Sequence, residues 1–330
     1  MRIAVDAMGG DNAPLEIVNG TYQASLECED VEITLIGDEK QILASFNELG
    51  LSIPSNIKLV HTDVAITMDD DPMIIMKEKN NSSMAIGLQL LKDNEVDAFV
   101  SAGNTGALHT ASTLMVRKIK GVRRSAIAAI LPFEKPIIML DSGANPVVTE
   151  DIINQWAVVG SHYVEHMFGI EKPRVALLNN GTEEHKGTPT HQEAYKLLKE
   201  NEKINFIGNV ESKELVNCPC DVVVTDGFTG NITLKLIEGL GMFMFSSLKE
   251  MFTKNLITKL SYISMKKQLK EFKKMFDASE YGGAPLLGLS KPVIKAHGSS
   301  KSRDIKSAIR QANRYANLNI IEKVSHSLHE

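Results

Sequence analysis

The strongest constraint on this chain is a recurring unit. A short apolar run stops at a small polar turn, and the sequence then resumes with helical spacing. Ile3–Val5 stops at Asp6 and the turn Gly9-Gly10-Asp11, and Ala98–Val100 stops at "SAGNTGA", 101–107. Ile137–Leu140 ends in "DSGAN", 141–145, Arg174–Leu178 in "NNGTEEHKGTP", 179–189, and Val222–Val224 in "TDGFTGN", 225–231. Apolar runs at Val31–Ile36, Ile57–Val60, Ala126–Leu131 and Ile204–Ile207 also fit strands, the last closed by Gly208-Asn209. Helical spacing covers about Ser82–Leu91, Glu150–Met167, His191–Leu198, the stretch up to about Phe252, and the chain from Asp304 on. Pro14 suits a helix first turn, where its missing N–H costs nothing. Near-continuous apolar strands alternating with helices predict an α/β fold with a mostly parallel sheet covered on both faces.

In open α/β sheets, ligands bind outside the carboxyl ends of the strands. The turns 6–11, 101–106, 141–145, 179–188 and 225–231 are therefore expected to share one sheet edge and to line one cleft with backbone N–H groups and amides. Gly103, Asn104, Thr105 and Gly106 open a helix, where glycine lets the backbone approach an anion and the helix dipole favours it. The same residues equally fit an N-capped helix with a tight opening turn. Gly230 and Asn231 stand at the corresponding place after 222–224. Neither turn is a GxGxxG or Walker pattern, which leans toward an anion smaller than a nucleotide. His185 and Lys186 offer a titrating group and a point charge for phosphate, or else a solvated loop beside Glu183 and Glu184. Lys295 and His297 sit in another Gly-Ser turn.

Composition narrows the function. The 330 residues carry a net charge of −5, which argues against nucleic acid as a bulk partner. Three cysteines fit a reduced, cytoplasmic protein. The first residues meet acid and glycine too early for a signal peptide. No uncharged apolar stretch reaches the roughly 18–20 residues that span a bilayer. Cys218-Pro219-Cys220 lacks a nearby ligand pair for zinc, no G-x-S-x-G elbow is present, and Asp69–Asp71 fits a solvated turn, so no metal is expected. In an acyl transfer, the attacking group would be the bound anion itself. Residues 239–280 differ from the rest: between Lys249 and Lys274 stand eight lysines and two glutamates. Leu256, Ile257, Leu260, Ile263 and Met265 are interleaved with them. Such a basic amphipathic segment suits an anionic membrane surface or an acidic partner protein, or a helical hairpin packed in a dimer.

Six motifs, in order, carry a resemblance: "DAMGGDNAP", "SAGNTGAL", "LLNNGTEEHKG", "VVVTDGFTGNITLK", "YGGAPLLGL" and "KAHGSS". From Met1 to about Arg310 the chain resembles the bacterial phosphate acyltransferase (PlsX) family. "DSGAN" departs from that family's "DVGAN", and "LPFEKPIIML" is shorter than its usual form. The resemblance implies a Rossmann-like α/β/α sandwich related to phosphotransacetylase and to the isocitrate/isopropylmalate dehydrogenases, with a protruding helical hairpin in a single catalytic unit, 1–330. It implies transfer of a long-chain acyl group from acyl carrier protein to inorganic phosphate, with no metal or organic cofactor. The acyl phosphate would feed a membrane glycerol-3-phosphate acyltransferase in phospholipid synthesis. A homodimer, cytoplasmic and peripherally membrane-associated, is implied as well. On this reading Gly103, Asn104, Thr105, Gly106 and Lys186 bind phosphate, and Asn231 and Gly230 donate to phosphate or oxyanion. His185 serves the leaving sulfur and Asp226 orders its loop. Asp6, Asn145 and His297 are further pocket members, while Leu256, Leu260, Ile263, Lys266 and Lys267 meet the membrane or the carrier protein. The rival readings are an acyl-CoA phosphotransacetylase, a non-catalytic scaffold for membrane or carrier protein, and a nicotinamide dehydrogenase without a dinucleotide fingerprint.

Overall fold

The computed structural model describes residues 1–274 and 281–329. It divides into two compact units. The first is Met1–Ala128, Val158–Glu171 and Ser279–Glu330; the second is Ala129–Ala157 and Lys172–Ala278. The first unit begins with β1 (Arg2–Asp6), α1 (Leu15–Glu27), β2 (Glu32–Gly37), α2 (Glu39–Glu48), β3 (Ile57–His61), α3 (Ser83–Lys92), β4 (Ala98–Ser101), α4 (Thr105–Ala111) and β5 (Ala126–Ile127). Strands β3, β2, β1 and β4 pair side by side in parallel. Helices cover both faces of such a sheet, so consecutive strand residues are apolar and buried: Ile3, Ala4 and Val5, then Ala98, Phe99 and Val100. The side chains of Asp38, Ser82 and Asn104 cap α2, α3 and α4 by accepting first-turn amides.

The second unit holds β6 (Ala129–Leu131), β7 (Ile137–Leu140), the start of α5 (Glu150–Phe168), β8 (Arg174–Asn179), α6 (Pro189–Glu200), β9 (Asn205–Glu211), β10 (Val222–Val224), α7 (Gly227–Thr253) and α8 (Leu256–Lys274). Its sheet order is β6-β7-β10-β8-β9, parallel except for β6. Leu131, Ile137, Met139, Ala176, Leu178 and Val223 form its core, against which Leu234 and Ile237 of α7 pack. Strand β9 does not stop at Gly208 as expected. Gly208 takes φ +101°, a left-handed value that suits glycine. The register slips by one residue there, Val175 facing Phe206 and Leu177 facing Asn209, so the strand runs on to Glu211.

Helices α7 and α8 touch through Phe245 and Phe272, with ring centroids 5.8 Å apart, and Phe252 and Tyr262, 5.7 Å apart. Around these contacts, Leu236, Leu240, Met242, Phe243, Leu256, Ile257, Leu260 and Ile263 are exposed. Residues 275–280, the end of the expected basic segment, lie outside the described residues.

The chain then returns to the first unit with β11 (Ala284–Leu287), β12 (Val293–Lys295), α9 (Ser302–Asn317) and α10 (Ile320–His329). Strand β12 lies parallel to β4, while β11 is antiparallel to both β12 and β5. Several expectations need correcting. The five polar turns do not share one sheet edge: 6–11 and 101–106 follow strands of the first sheet, and the other three follow strands of the second. The expected strand Ala126–Leu131 is two strands in different sheets, separated only by Ala128. The C-terminal helix breaks in two at Asn319, which takes φ +50°.

Candidate active site

At the strand ends of the first unit, Asp6 is buried and its carboxylate accepts from Ser83 Oγ at 2.6 Å, Ser101 Oγ at 2.7 Å and the Met8 amide at 3.1 Å. Burial raises its pKa, against these hydrogen bonds and the charge of Lys295. Lys295 is buried as well. Its ammonium donates to the carbonyls of Ala102, at 3.3 Å, and Ala296, and burial pushes its pKa down to about 8 against the pull of Asp6 and Asp11. The Gly103 amide donates to Ser101 Oγ at 3.0 Å. Asn104 is fully engaged: Oδ1 caps the Ala107 amide at 3.0 Å, and Nδ2 reaches the carbonyls of Thr67, Met68 and Asp70 at 3.4, 3.0 and 3.1 Å. Its side chain fastens the 67–70 loop to α4. The first-turn amides of Thr105 and Gly106 have no acceptor within their own helix. His297 is exposed, its Nδ1 beside Ser299 Oγ at 2.8 Å.

In the second unit β7, β10 and β8 lie side by side, so the turns after them converge. The buried Asp141 carboxylate accepts from the amides of Gly143, Ala144 and Asn145, at 3.2, 3.2 and 2.6 Å, and from Asn145 Nδ2 at 2.9 Å. It shapes the "DSGAN" turn. The start of α7 presses on that turn: a Cβ at Gly230 would stand 1.9 Å from the Asp141 carbonyl oxygen, so only glycine fits. Asn231 Nδ2 donates to the Ser142 carbonyl at 3.0 Å, and the Gly227 amide to the Asn145 carbonyl at 2.9 Å. Asp226 caps α7, accepting from the Thr229 amide at 2.9 Å and Thr229 Oγ1 at 2.7 Å.

The turn after β8 is held by Asn179, which accepts from the Asn180 amide at 2.8 Å and donates to the Lys186 carbonyl at 3.2 Å. Gln192 Nε2 donates to the carbonyls of His185 and Gly187 at 2.7 and 3.3 Å. His185 is exposed. Lys186 is half-buried, its stem close over Gly181. Glu184 is bound to Lys199 at 2.6 Å.

Between the turn after β8 and the start of α7 lies a cavity of about 500 Å³ lined by Leu178, Asn179, Asn180, Gly187, Thr188, His191, Ser212, Thr229 and Thr233. Its walls offer amides and hydroxyls, the groups that bind an oxyanion without a cationic pocket. His185, Lys186, Gly230 and Asn231 belong to the turns around it rather than to its lining.

Sequence reasoning missed His191. Its Nδ1 is 2.8 Å from Thr188 Oγ1 and its Nε2 is 3.7 Å from Asp226 Oδ2. Burial lowers its pKa, against the pull of Asp226, so the neutral imidazole is favoured. A histidine two residues past a helix-opening Thr-Pro reads as ordinary first-turn polarity; only the tertiary approach of Asp226 singles it out. Cys220 is unsuited to nucleophilic work, because burial pushes its thiol up to about 12.

The phosphotransacetylase EutD from Staphylococcus aureus has this fold, with a TM-score of 0.61, 19% identity, and 96% of this chain and 94% of that one covered. The architecture is therefore a fold that this phosphotransacetylase shares. The match is closer among sequences. The family described as "Fatty acid synthesis protein" matches residues 1–323. The phosphate acyltransferase of Caldanaerobacter subterraneus subsp. tengcongensis is 44% identical over 330 residues, covering 99% of this chain and 97% of that protein. The phosphate acyltransferase of Brevibacillus brevis is 45% identical over the same shares. The chain belongs to the phosphate acyltransferase family.

Proposed function

We propose that the chain transfers a long-chain fatty acyl group from acyl carrier protein to inorganic phosphate, yielding acyl phosphate for phospholipid synthesis. The observation that carries this reading is family membership over nearly the whole chain; the amide- and hydroxyl-lined cavity of the second unit supports it. A thioester is already activated. A phosphate oxygen attacks its carbonyl carbon, the oxyanion collapses, the C–S bond breaks and the thiolate leaves to take a proton. The protein has to desolvate and orient the phosphate and stabilise the oxyanion, which fixed donors do best. Lys186 supplies the point charge and His185 the proton for sulfur. Asn231, tied to Ser142, and Gly230 hold the 141–145 turn in register, with Asn145 inside it. Asp226 acts as a cap and as the partner of His191. In the first unit the amides of Thr105 and Gly106 are the donors open to an anion, Gly103 and Asn104 shape that turn, and Asp6 and His297 support it.

The α7–α8 hairpin fits a peripheral membrane role: Leu256, Leu260 and Ile263 are exposed among lysines that include Lys266 and Lys267. Among the described residues, no helix is long and apolar enough to cross a membrane. A cytoplasmic homodimer that delivers acyl phosphate to a membrane glycerol-3-phosphate acyltransferase completes the reading.

The test is thiol release from palmitoyl carrier protein with and without phosphate. Release that ignores phosphate would refute the reading, and faster turnover of CoA thioesters would move it to an acyl-CoA phosphotransacetylase. Lys266→Glu with Lys267→Glu should abolish sedimentation with anionic vesicles at an unchanged carrier-protein KM. A raised KM would assign the hairpin to the carrier protein instead.

A further inference from the structure

Helix α5 carries a cluster that no step of the proposed reaction uses. His162, Glu165 and His166, all in the first unit, stand at i, i+3 and i+4, the spacing that puts three side chains on one helix face. One ligand atom from each lies within 4.8 Å of the other two. His162 Nδ1 is 3.6 Å from Glu165 Oε2, and His166 Nδ1 is 4.0 Å from the same oxygen.

Two further observations mark the cluster as more than coincident spacing. His166 Nδ1 is 2.8 Å from the His162 carbonyl oxygen. A carbonyl only accepts, so Nδ1 carries the proton and the Nε2 lone pair points elsewhere. A backbone carbonyl fixing one ring nitrogen is how metal-binding histidines are usually oriented. The helix turn is also firmly seated on its other side. Tyr163, Val164 and Met167 are buried, Tyr163 meets Tyr315 edge-on at 5.4 Å, and its hydroxyl accepts from Gln311 Nε2 at 3.1 Å. The three ligands themselves are only partly covered, with side-chain exposures of 22%, 40% and 21% in chain order, so an ion can reach them.

We propose that His162, Glu165 and His166 form a binding site for a borderline divalent cation of the Zn²⁺, Co²⁺ or Ni²⁺ type. Two imidazoles and one carboxylate suit such ions and not Mg²⁺ or Ca²⁺, which prefer all-oxygen shells. Metal–ligand bonds are about 2.0–2.2 Å. With His166 Nδ1 held by the His162 carbonyl, Nε2 is its ligand atom, and side-chain torsions bring it together with Glu165 and His162 around the ion. The ion clips the last two turns of α5, and water fills its open positions. The site is independent of the acyl-transfer reading.

Tag-free protein titrated with Co²⁺ and Zn²⁺ tests this. One ion should bind per chain, with a Co²⁺ spectrum free of sulfur charge-transfer bands and a raised thermal midpoint. His166→Gln and His162→Gln should each weaken binding about tenfold or more, Glu165→Gln by less, with phosphate-dependent thiol release unchanged when no metal is added. If a variant fails to fold, X-ray absorption on the wild-type zinc protein decides, with scattering from two imidazoles in a nitrogen/oxygen shell expected. Absence of binding, binding equally tight in both histidine variants, or a sulfur-containing shell would overturn the proposal.

Discussion

The two units end their central strands in the same way, with small polar turns leading into helices, yet they use those turns differently. In the first unit the polar side chains at the strand ends are turned inward. Asp6, Ser83, Ser101 and Lys295 satisfy one another or nearby backbone, and Asn104 spends its whole amide on α4 and the 67–70 loop. In the second unit, Asp141, Asn179 and Asp226 hold the turns from behind, and a cavity is left between the turn after β8 and the start of α7. An amide-rich strand end is thus either a lock or a receptor. Donors are consumed in both units, Asn179 Nδ2 by the Lys186 carbonyl and Thr229 Oγ1 by Asp226 in the second, so what differs is that the second unit leaves a cavity beside its turns.

Four measurements break or sharpen that contrast. Gly230→Ala forces a Cβ into the Asp141 carbonyl, so the second unit should lose about 4 kcal/mol or fail to fold, read by urea unfolding of soluble protein. A small loss would mean that α7 can move away from "DSGAN". Lys186→Ala should leave the urea midpoint in place and cut acyl phosphate formation about a hundredfold, near 3 kcal/mol of transition-state stabilisation. Wild-type turnover would remove the lysine from the site.

Lys295 tests the first unit by pH. Its folded pKa, about 8, lies below the unfolded 10.5. The unfolded chain therefore holds the extra proton between those values. The contribution to stability is present above pH 10.5 and lost as pH falls through 8. Relative to Lys295→Met, the wild type should gain up to about 3 kcal/mol across that window; parallel pH curves would show that the ammonium is not buried in solution. The smallest effect compares two caps. Asp226→Ala and Asp38→Ala should each cost about 1 kcal/mol of stability, but only Asp226→Ala, which also strips His191 of its partner, should slow phosphate-dependent thiol release.

The sequence made the repeating strand–turn–helix unit legible because parallel strands, buried on both faces, have to be apolar throughout. Ser82 and Asn104 could be read as helix starts because a cap is a local interaction, whereas the helix expected to begin at Asn231 begins at Gly227, capped by Asp226. The division into two sheets could not be read, because only Ala128 separates β5 from β6 and no change in composition marks the crossing. Strands β11 and β12 were missed because they are short and set among Gly, Pro and Ser. Their strand character comes from pairing with β5 and β4, far away in the chain. The same holds for His191, whose significance depends on a carboxylate 35 positions on.

The interleaved strand orders also fix a timetable for the growing polypeptide. In the second sheet the last strand to be made, β10, fills the gap between β7 and β8. In the first, β4 keeps a bare hydrogen-bonding edge until β12 emerges from the ribosome nearly two hundred residues later. Neither sheet can be completed by the portion of chain that starts it, so nascent fragments display open apolar edges of the kind that aggregate. A cell that makes this protein has to shield those edges through most of its translation.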